Sequence, residues 1–137
     1  MSRQGSQATA DVSLPPKQLV EVIRRTVSAP PIALDVESLG RGSLLTGWKR
    51  YRGTFHIAHY WQERTRFRID VAPDFDEPTA KSHVGVTAET EQRAAEGQRW
   101  DREPRVPRPQ RAQAFLKAIL DNLPEKPQWP SPDGKPQ

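Results

Sequence analysis

The feature that most restricts the fold of this chain is a run of alternating side chains between Trp48 and Val71. Every second position in the two halves of the run is apolar except for His59, and the six apolar residues are Phe55, Ile57, Trp61, Phe67, Ile69 and Val71. A period of two residues is typical of a strand with one buried face. The run therefore predicts two antiparallel strands joined by a turn.

The position of that turn decides which side chains are buried, because a slip of one residue reverses the faces of a strand. A two-residue turn at 63–64 would pair Tyr60 with Phe67, whereas a five-residue loop over 62–66 would pair Trp61 with Phe67. We favour the longer loop, since it gathers all six apolar residues on one side. The run also lacks the Asn-Gly or Asp-Gly pair of a tight hairpin turn.

Two helices are predicted outside this run. The first extends from Pro15 or Pro16 to about Ser28, and the second lies between Pro109 and Pro124. Each has apolar residues at three- and four-residue spacing, and proline is favoured in a first helical turn. The stripes are Leu19, Val20, Ile23 and Val27 in the first helix, and Ala112, Phe115, Leu116, Ile119, Leu120 and Leu123 in the second.

The remaining segments give weaker signals. Alternation over 32–36 indicates a further strand, the glycines within 39–46 indicate a turn, and Val84 with Val86 indicates a short strand. Residues 87–99 have the composition of a helix but almost no large apolar side chain. We interpret them as either a solvated helix or a disordered segment.

These elements predict an α+β fold: an antiparallel sheet of three to four strands, covered on one face by an N-terminal and a C-terminal helix. A single domain is expected over residues 13–124, with disordered tails at 1–12 and, rich in proline, at 125–137. The uncovered face of the sheet would carry His56, Arg66 and Arg68.

Composition excludes several classes of protein. The chain has no cysteine, so it has neither a disulfide framework nor a thiolate metal site. No apolar run reaches the ~18–20 residues of a membrane span, and the first 30 residues lack the apolar segment of a secretion signal. We therefore expect a cytoplasmic protein without a membrane partner.

The charge pattern is more informative than the formal net charge of +4. Residues 41–68 contain seven basic residues against Glu63 alone, whereas residues 69–104 contain nine acidic residues against four basic ones. Charge this unevenly distributed produces local fields that affect the choice of partner. It favours an anionic partner, either nucleic acid or an acidic protein surface.

The basic stretch is the best candidate for a binding site. It combines cations with aromatic rings, and its members are Trp48, Lys49, Arg50, Tyr51, Arg52, Arg64, Arg66 and Arg68. Aromatic rings stack on bases while arginines neutralise phosphates, so a sheet face with both suits single-stranded nucleic acid or RNA. The hypothesis is a non-enzymatic nucleic-acid-binding protein. The alternative is a protein-interaction module: an adaptor, an inhibitor of the immunity type or a regulator.

Other candidates are weaker. Trp129, between prolines near the C-terminus, either folds back on the domain or anchors a partner. The carboxylates of 70–77 raise a third hypothesis, a metal-dependent enzyme, although no catalytic motif accompanies them. His56 and His59 are three residues apart, and in a strand they would point to opposite faces. We therefore predict no metal site, no cofactor and no catalytic residue.

Overall fold

The structure is a computed structural model, and it describes residues 6–56, 59–102 and 108–123. These residues form an α+β fold with an antiparallel sheet of six strands and two helices. In chain order the elements are β1 (Ser6–Val12), α1 (Pro16–Ser28), β2 (Val36–Gly40), β3 (Ser43–Thr46), β4 (Lys49–His56), β5 (His59–Pro73), β6 (Ser82–Arg93) and α2 (Arg111–Asp121).

Strand β5 is the centre of the sheet. The strand order is β1-β6-β5-β3-β2, and β4 also pairs with β5. Along one edge, β5 pairs with β6 from Gln62 to Pro73. Along the other edge it pairs first with β4 and then with β3. The sheet thus has two more strands than the upper number predicted.

The predicted hairpin register is wrong. Residues 62–66 lie inside β5, and the chain reverses direction between His56 and His59, which are partners in register. Phe67 is paired with Ala88 of β6 instead of with Trp61 or Tyr60. Alternation continues through the predicted loop because two polar side chains, at 63 and 65, are buried there in place of apolar ones.

Two other strands differ from the prediction. β6 (Ser82–Arg93) contains the short strand predicted from Val84 and Val86 and continues well beyond it, so residues 87–93 are neither helical nor disordered. Residues 6–12 form β1 instead of the predicted tail, and β1 pairs with β6 from Ser6↔Ala88 to Val12↔Ser82. The inward positions of the second half of β6 hold Ala88, Thr90 and Gln92, which are buried although small or polar.

Both helices are confirmed, and they pack on the same face of the sheet. We call this the inner face and the opposite one the outer face. The rings of Phe67 and Phe115 stack in parallel on the inner face with their centroids 3.9 Å apart. The core around them consists of buried apolar side chains from both helices and from the sheet: Val12, Leu14, Leu19, Ile23, Val27, Leu44, Ile69, Val71, Val84, Val86, Ala88, Ala112, Leu116 and Ile119.

The glycines predicted to mark a turn do so between β2 and β3. Gly40 and Gly42 have φ angles of 88° and 83°, which are readily adopted by glycine alone. A Cβ atom on Gly42 would also lie 2.5 Å from the carbonyl oxygen of Val71. The predicted turn region 39–46 is therefore a tight turn followed by β3, and not a turn throughout.

Candidate functional site

The central arginines of the predicted site lie on the outer face. Burial alternates along β5: Glu63, Thr65 and Phe67 are buried, while Arg64 and Arg66 between them are partly exposed. Arg68, which follows in the same alternation, is exposed. The expectation that Arg66 and Arg68 occupy the face away from the helices thus holds for these side chains.

Each of these three arginines is paired with a carboxylate. Arg64 contacts Glu91 at 2.6 Å, and Arg66 contacts Glu89 at 2.7 Å across the β5–β6 pair. Arg68 contacts Asp70 at 3.2 Å on its own strand. The acidic residues after position 69 therefore neutralise much of the charge of the basic stretch, and they do so because β6 lies beside β5.

Tryptophan rings cover the same arginines. The guanidinium of Arg64 lies between two indoles, 4.2 Å from the ring centroid of Trp48 and 4.4 Å from that of Trp100. Arg66 also contacts Trp48, at 4.7 Å, and Arg93 contacts Trp100, at 4.3 Å. These cation–π contacts occupy Trp48, which the sequence assigns to base stacking, and Trp100, which lies outside the predicted site.

The predicted site is divided between the two faces of the sheet. Lys49 and Tyr51 of β4 are partners of Thr65 and Glu63, so they lie on the inner side of the strand. The Tyr51 ring is half-buried and packs on Arg111 of α2, with 3.7 Å between the guanidinium and the ring centroid. Burial raises the pKa of Tyr51, and the positive charge of Arg111 opposes the rise.

The remaining cations of β4 are exposed. Arg50 is the partner of Arg64, which places it on the outer face, and its guanidinium lies 5.4 Å from the Trp100 ring. Arg52 follows at a bulge between Tyr51 and Thr54. Within the described residues, neither Arg50 nor Arg52 forms an ion pair with a carboxylate.

Two exposed aromatic residues were missed by the sequence analysis. Phe55 of β4 and Tyr60 of β5 are partners in register, and they are 71% and 52% exposed. Tyr60 and Arg64 are separated by an even number of residues on one strand, so both belong to the outer face. The alternation of Phe55 with other apolar residues suggests burial; only the correct turn position shows that it lies near the end of a hairpin.

The Tyr60 ring is supported from below by Gly53. A Cβ atom at position 53 would lie 2.5 Å from the Tyr60 ring and 2.5 Å from the carbonyl oxygen of Trp61. No side chain other than hydrogen fits between them. Gly53 therefore lets the Tyr60 ring approach the backbone of β4 closely.

The acidic loop after β5 is arranged as a structural turn. The Asp74 carboxylate accepts the backbone N–H groups of Asp76 and Glu77 at 3.0 and 2.9 Å, while Lys81 pairs with Glu77. In residues 6–56, 59–102 and 108–123 there is no group of three or more histidines and carboxylates that is able to hold a metal ion. The side chains of His56 and His59, and the whole of Trp129, lie outside what the structure describes.

Comparison with known proteins does not assign a family. No protein-family model matches the chain, and no curated protein matches it.

Neither α1 nor α2, the helices of the described ranges, has the length and apolar character needed to cross a membrane.

Proposed function

We propose that this protein binds single-stranded nucleic acid on the outer face, at the β4–β5 hairpin. Bases stack on Phe55 and Tyr60, and the phosphate backbone contacts Arg50 and Arg52. The observation that carries the proposal is an exposed aromatic pair beside two arginines that form no ion pair with any carboxylate of the described residues. Arg50 lies on the same side of the sheet as the aromatic pair, and Arg52 lies at the bulge between them along β4.

The exposed aromatic pair has a physical cost unless it meets a ligand. Leaving two large rings in water forfeits the burial free energy of about 1.5–3 kcal/mol that such a side chain gains in a core. The Tyr60 ring lies against the backbone at Gly53 and remains half exposed, and stacking contributes about 1–3 kcal/mol per base regardless of base identity. We therefore expect weak sequence preference.

The cations have separate roles in this proposal. Arg64 and Arg66 hold the two strands and the tryptophans together, since their charges are already paired. Arg50 and Arg52 are exposed, and among the described residues they form no ion pair with a carboxylate. Two phosphate contacts from these residues imply a log–log salt slope of about −1.4 for a single strand.

Fluorescence anisotropy with labelled single-stranded RNA and DNA across a salt series tests the proposal. We expect Phe55→Ala and Tyr60→Ala each to weaken binding by about 1–3 kcal/mol while leaving the salt slope unchanged. Charge reversal of Arg50 and Arg52 should weaken binding and flatten the slope. Absence of binding at low salt to either probe would refute the proposal.

Phe75 offers a matched control. It is 97% exposed, and it follows the C-terminal end of β5, whereas the hairpin lies at the N-terminal end of that strand. Phe75→Ala removes the same kind of side chain as Phe55→Ala. Because Phe75 lies at the opposite end of β5 from the hairpin, its loss should leave binding unaffected. An equal loss in both variants would indicate non-specific attraction to exposed rings.

A protein partner is the second candidate, and the composition of the outer face favours it. Arginine, tryptophan and tyrosine are enriched in protein interfaces, and the Arg–Glu pairs leave the centre of this face close to neutral. If neither nucleic-acid probe binds, the same two aromatic residues become the expected anchors for an acidic protein surface.

A further inference from the structure

A cleft beside the outer face contains charges that the proposed hairpin site does not use. It lies where residues 99–102 pass along β6, and its walls come from two strands and this segment: Arg64, Glu91, Arg99, Trp100 and Arg102. The segment is anchored by a pair of backbone hydrogen bonds. The Asp101 N–H donates to the Gln92 carbonyl at 2.7 Å, and the Gln92 N–H donates to the Asp101 carbonyl at 3.1 Å.

One wall of the cleft is a guanidinium with unused donors. Arg64 gives its Nε and Nη2 hydrogen bonds to one oxygen of Glu91, at 3.0 and 2.6 Å. Its Nη1 donates to no described residue. The two indoles on either side of Arg64 hold the group in place, so binding a ligand there would cost little side-chain entropy.

The charge of the cleft is unbalanced. Three arginines and one glutamate line it, and Arg99 and Arg102 are exposed without an ion pair to any described carboxylate. The lining therefore carries two more positive than negative charges, which suits a ligand group with two negative charges. A phosphate monoester carries about −1.5 to −2 charges at neutral pH, and arginine binds its oxygens in a planar, two-pronged geometry.

We propose that this cleft is a binding site for a terminal phosphate group, held by Arg64, Arg99 and Arg102. The inference rests on the proposed function for its natural ligand, the phosphorylated end of a nucleic-acid strand whose bases reach the hairpin. Arg50 lies between the cleft and the hairpin site, because it belongs to the hairpin strand β4, is the partner of Arg64 and also contacts Trp100.

Inorganic phosphate tests the cleft without nucleic acid. The indole N–H signal of Trp100 in the full chain should shift on titration with inorganic phosphate, to saturation. Arg99→Ala combined with Arg102→Ala should weaken the affinity by at least about tenfold, since two charge-assisted contacts are lost. The matched control is Arg24→Ala with Arg25→Ala on α1, which removes the same charge from exposed positions and should leave the affinity within about twofold.

Oligonucleotides with a terminal phosphate or a terminal hydroxyl identify the source of the phosphate. A phosphate at one of the two ends of the strand should make it bind the wild-type chain more tightly than the strand with a terminal hydroxyl does. The Arg99/Arg102 double variant should bind the two strands equally. The inference would be overturned if the terminal phosphate did not change the affinity of the strand and the double variant bound it as tightly as the wild type. That result would leave the hairpin proposal standing. Inorganic phosphate bound at the cleft, with no strand bound at low salt, would support the phosphate site and refute the proposed function.

Discussion

Two clusters of arginine–carboxylate pairs lie on opposite sides of β5, and adjacent residues of that strand belong to them. On the inner face, the fully buried Glu63 contacts Arg108 at 2.6 Å and Arg111 at 2.8 Å. On the outer face, Arg64 pairs with a glutamate of β6 across the strand interface. The same chemical pairing therefore occurs in two very different environments.

The difference between the clusters concerns how many groups depend on each carboxylate. Glu63 accepts hydrogen bonds on both oxygens, while Arg111 also donates to Thr65 at 2.7 Å and the Thr65 hydroxyl meets that of Thr90 at 2.9 Å. The inner cluster thus attaches the first residue of α2 to the sheet. The outer pairs open to water, where charges are screened and a ligand is able to replace a partner.

The largest effect is expected from Glu63→Gln, which leaves two arginines without their carboxylate. Removing one partner of a buried pair costs 3–5 kcal/mol in general. We expect about 3 kcal/mol here, since the side chains of Arg108 and Arg111 remain 25% and 15% exposed. Urea denaturation measures the loss as a lower midpoint, and a loss under about 1 kcal/mol would contradict the distinction between the two clusters.

A smaller effect is expected from the same exchange on the outer face. Glu89→Gln removes the partner of Arg66 from a pair whose side chains are 50% and 35% exposed. Exposed pairs contribute about 0.2–1 kcal/mol, and added salt screens them. The loss in urea denaturation should therefore be small and should shrink further at high salt; a loss as large as that of Glu63→Gln would make the two faces energetically equivalent.

Glu63 also explains why the hairpin could not be located from the sequence. The inward positions of β5 continue from the apolar Phe67 back through Thr65 to Glu63, and a glutamate in a predicted core position indicates a turn. It is tolerated because of Arg108 and Arg111, which lie more than forty residues further along the chain. No local pattern reveals a partner at that distance.

The helices and the strands differ in predictability for a related reason. The stripes of α1 and α2 consist of large apolar residues, so the helical period is visible within each segment. The first half of β6 shows the apolar alternation of a strand in Val84 and Val86, whereas β1 and the second half of β6 bury small or polar side chains, such as Ser6, Ala88 and Gln92. Their strand structure depends on backbone pairing with neighbours, which composition does not encode.

The candidate site was predictable in part. The cluster of cations and rings was visible, but the sequence did not show that its members alternate between faces or that Glu89 and Glu91 lie opposite Arg66 and Arg64. That pairing requires the β5–β6 register, and the register follows from a strand that the sequence assigns to a helix or to disorder. Phe55 and Tyr60 were missed for the same reason, since their exposure follows from the turn position.

The smallest expected effect is a pH dependence that belongs to the inner face. Burial raises the pKa of Tyr51 above its usual value of 10.0, and the nearby guanidinium of Arg111 only partly offsets this. Between the unfolded and the folded pKa, the unfolded chain has lost the tyrosine proton while the folded chain keeps it. The folded state binds more protons in this range, so the free energy of unfolding must fall as the pH rises from about 10 through the folded pKa.

The chain has only one other tyrosine, so Tyr51→Phe isolates this contribution. In urea denaturation at a series of pH values, the wild-type chain should lose more stability above about pH 10 than Tyr51→Phe does, while lysine titration affects both equally. Identical pH profiles would mean that Tyr51 is as accessible to water as the outer face, and that the inner cluster does not exclude solvent from its aromatic neighbour.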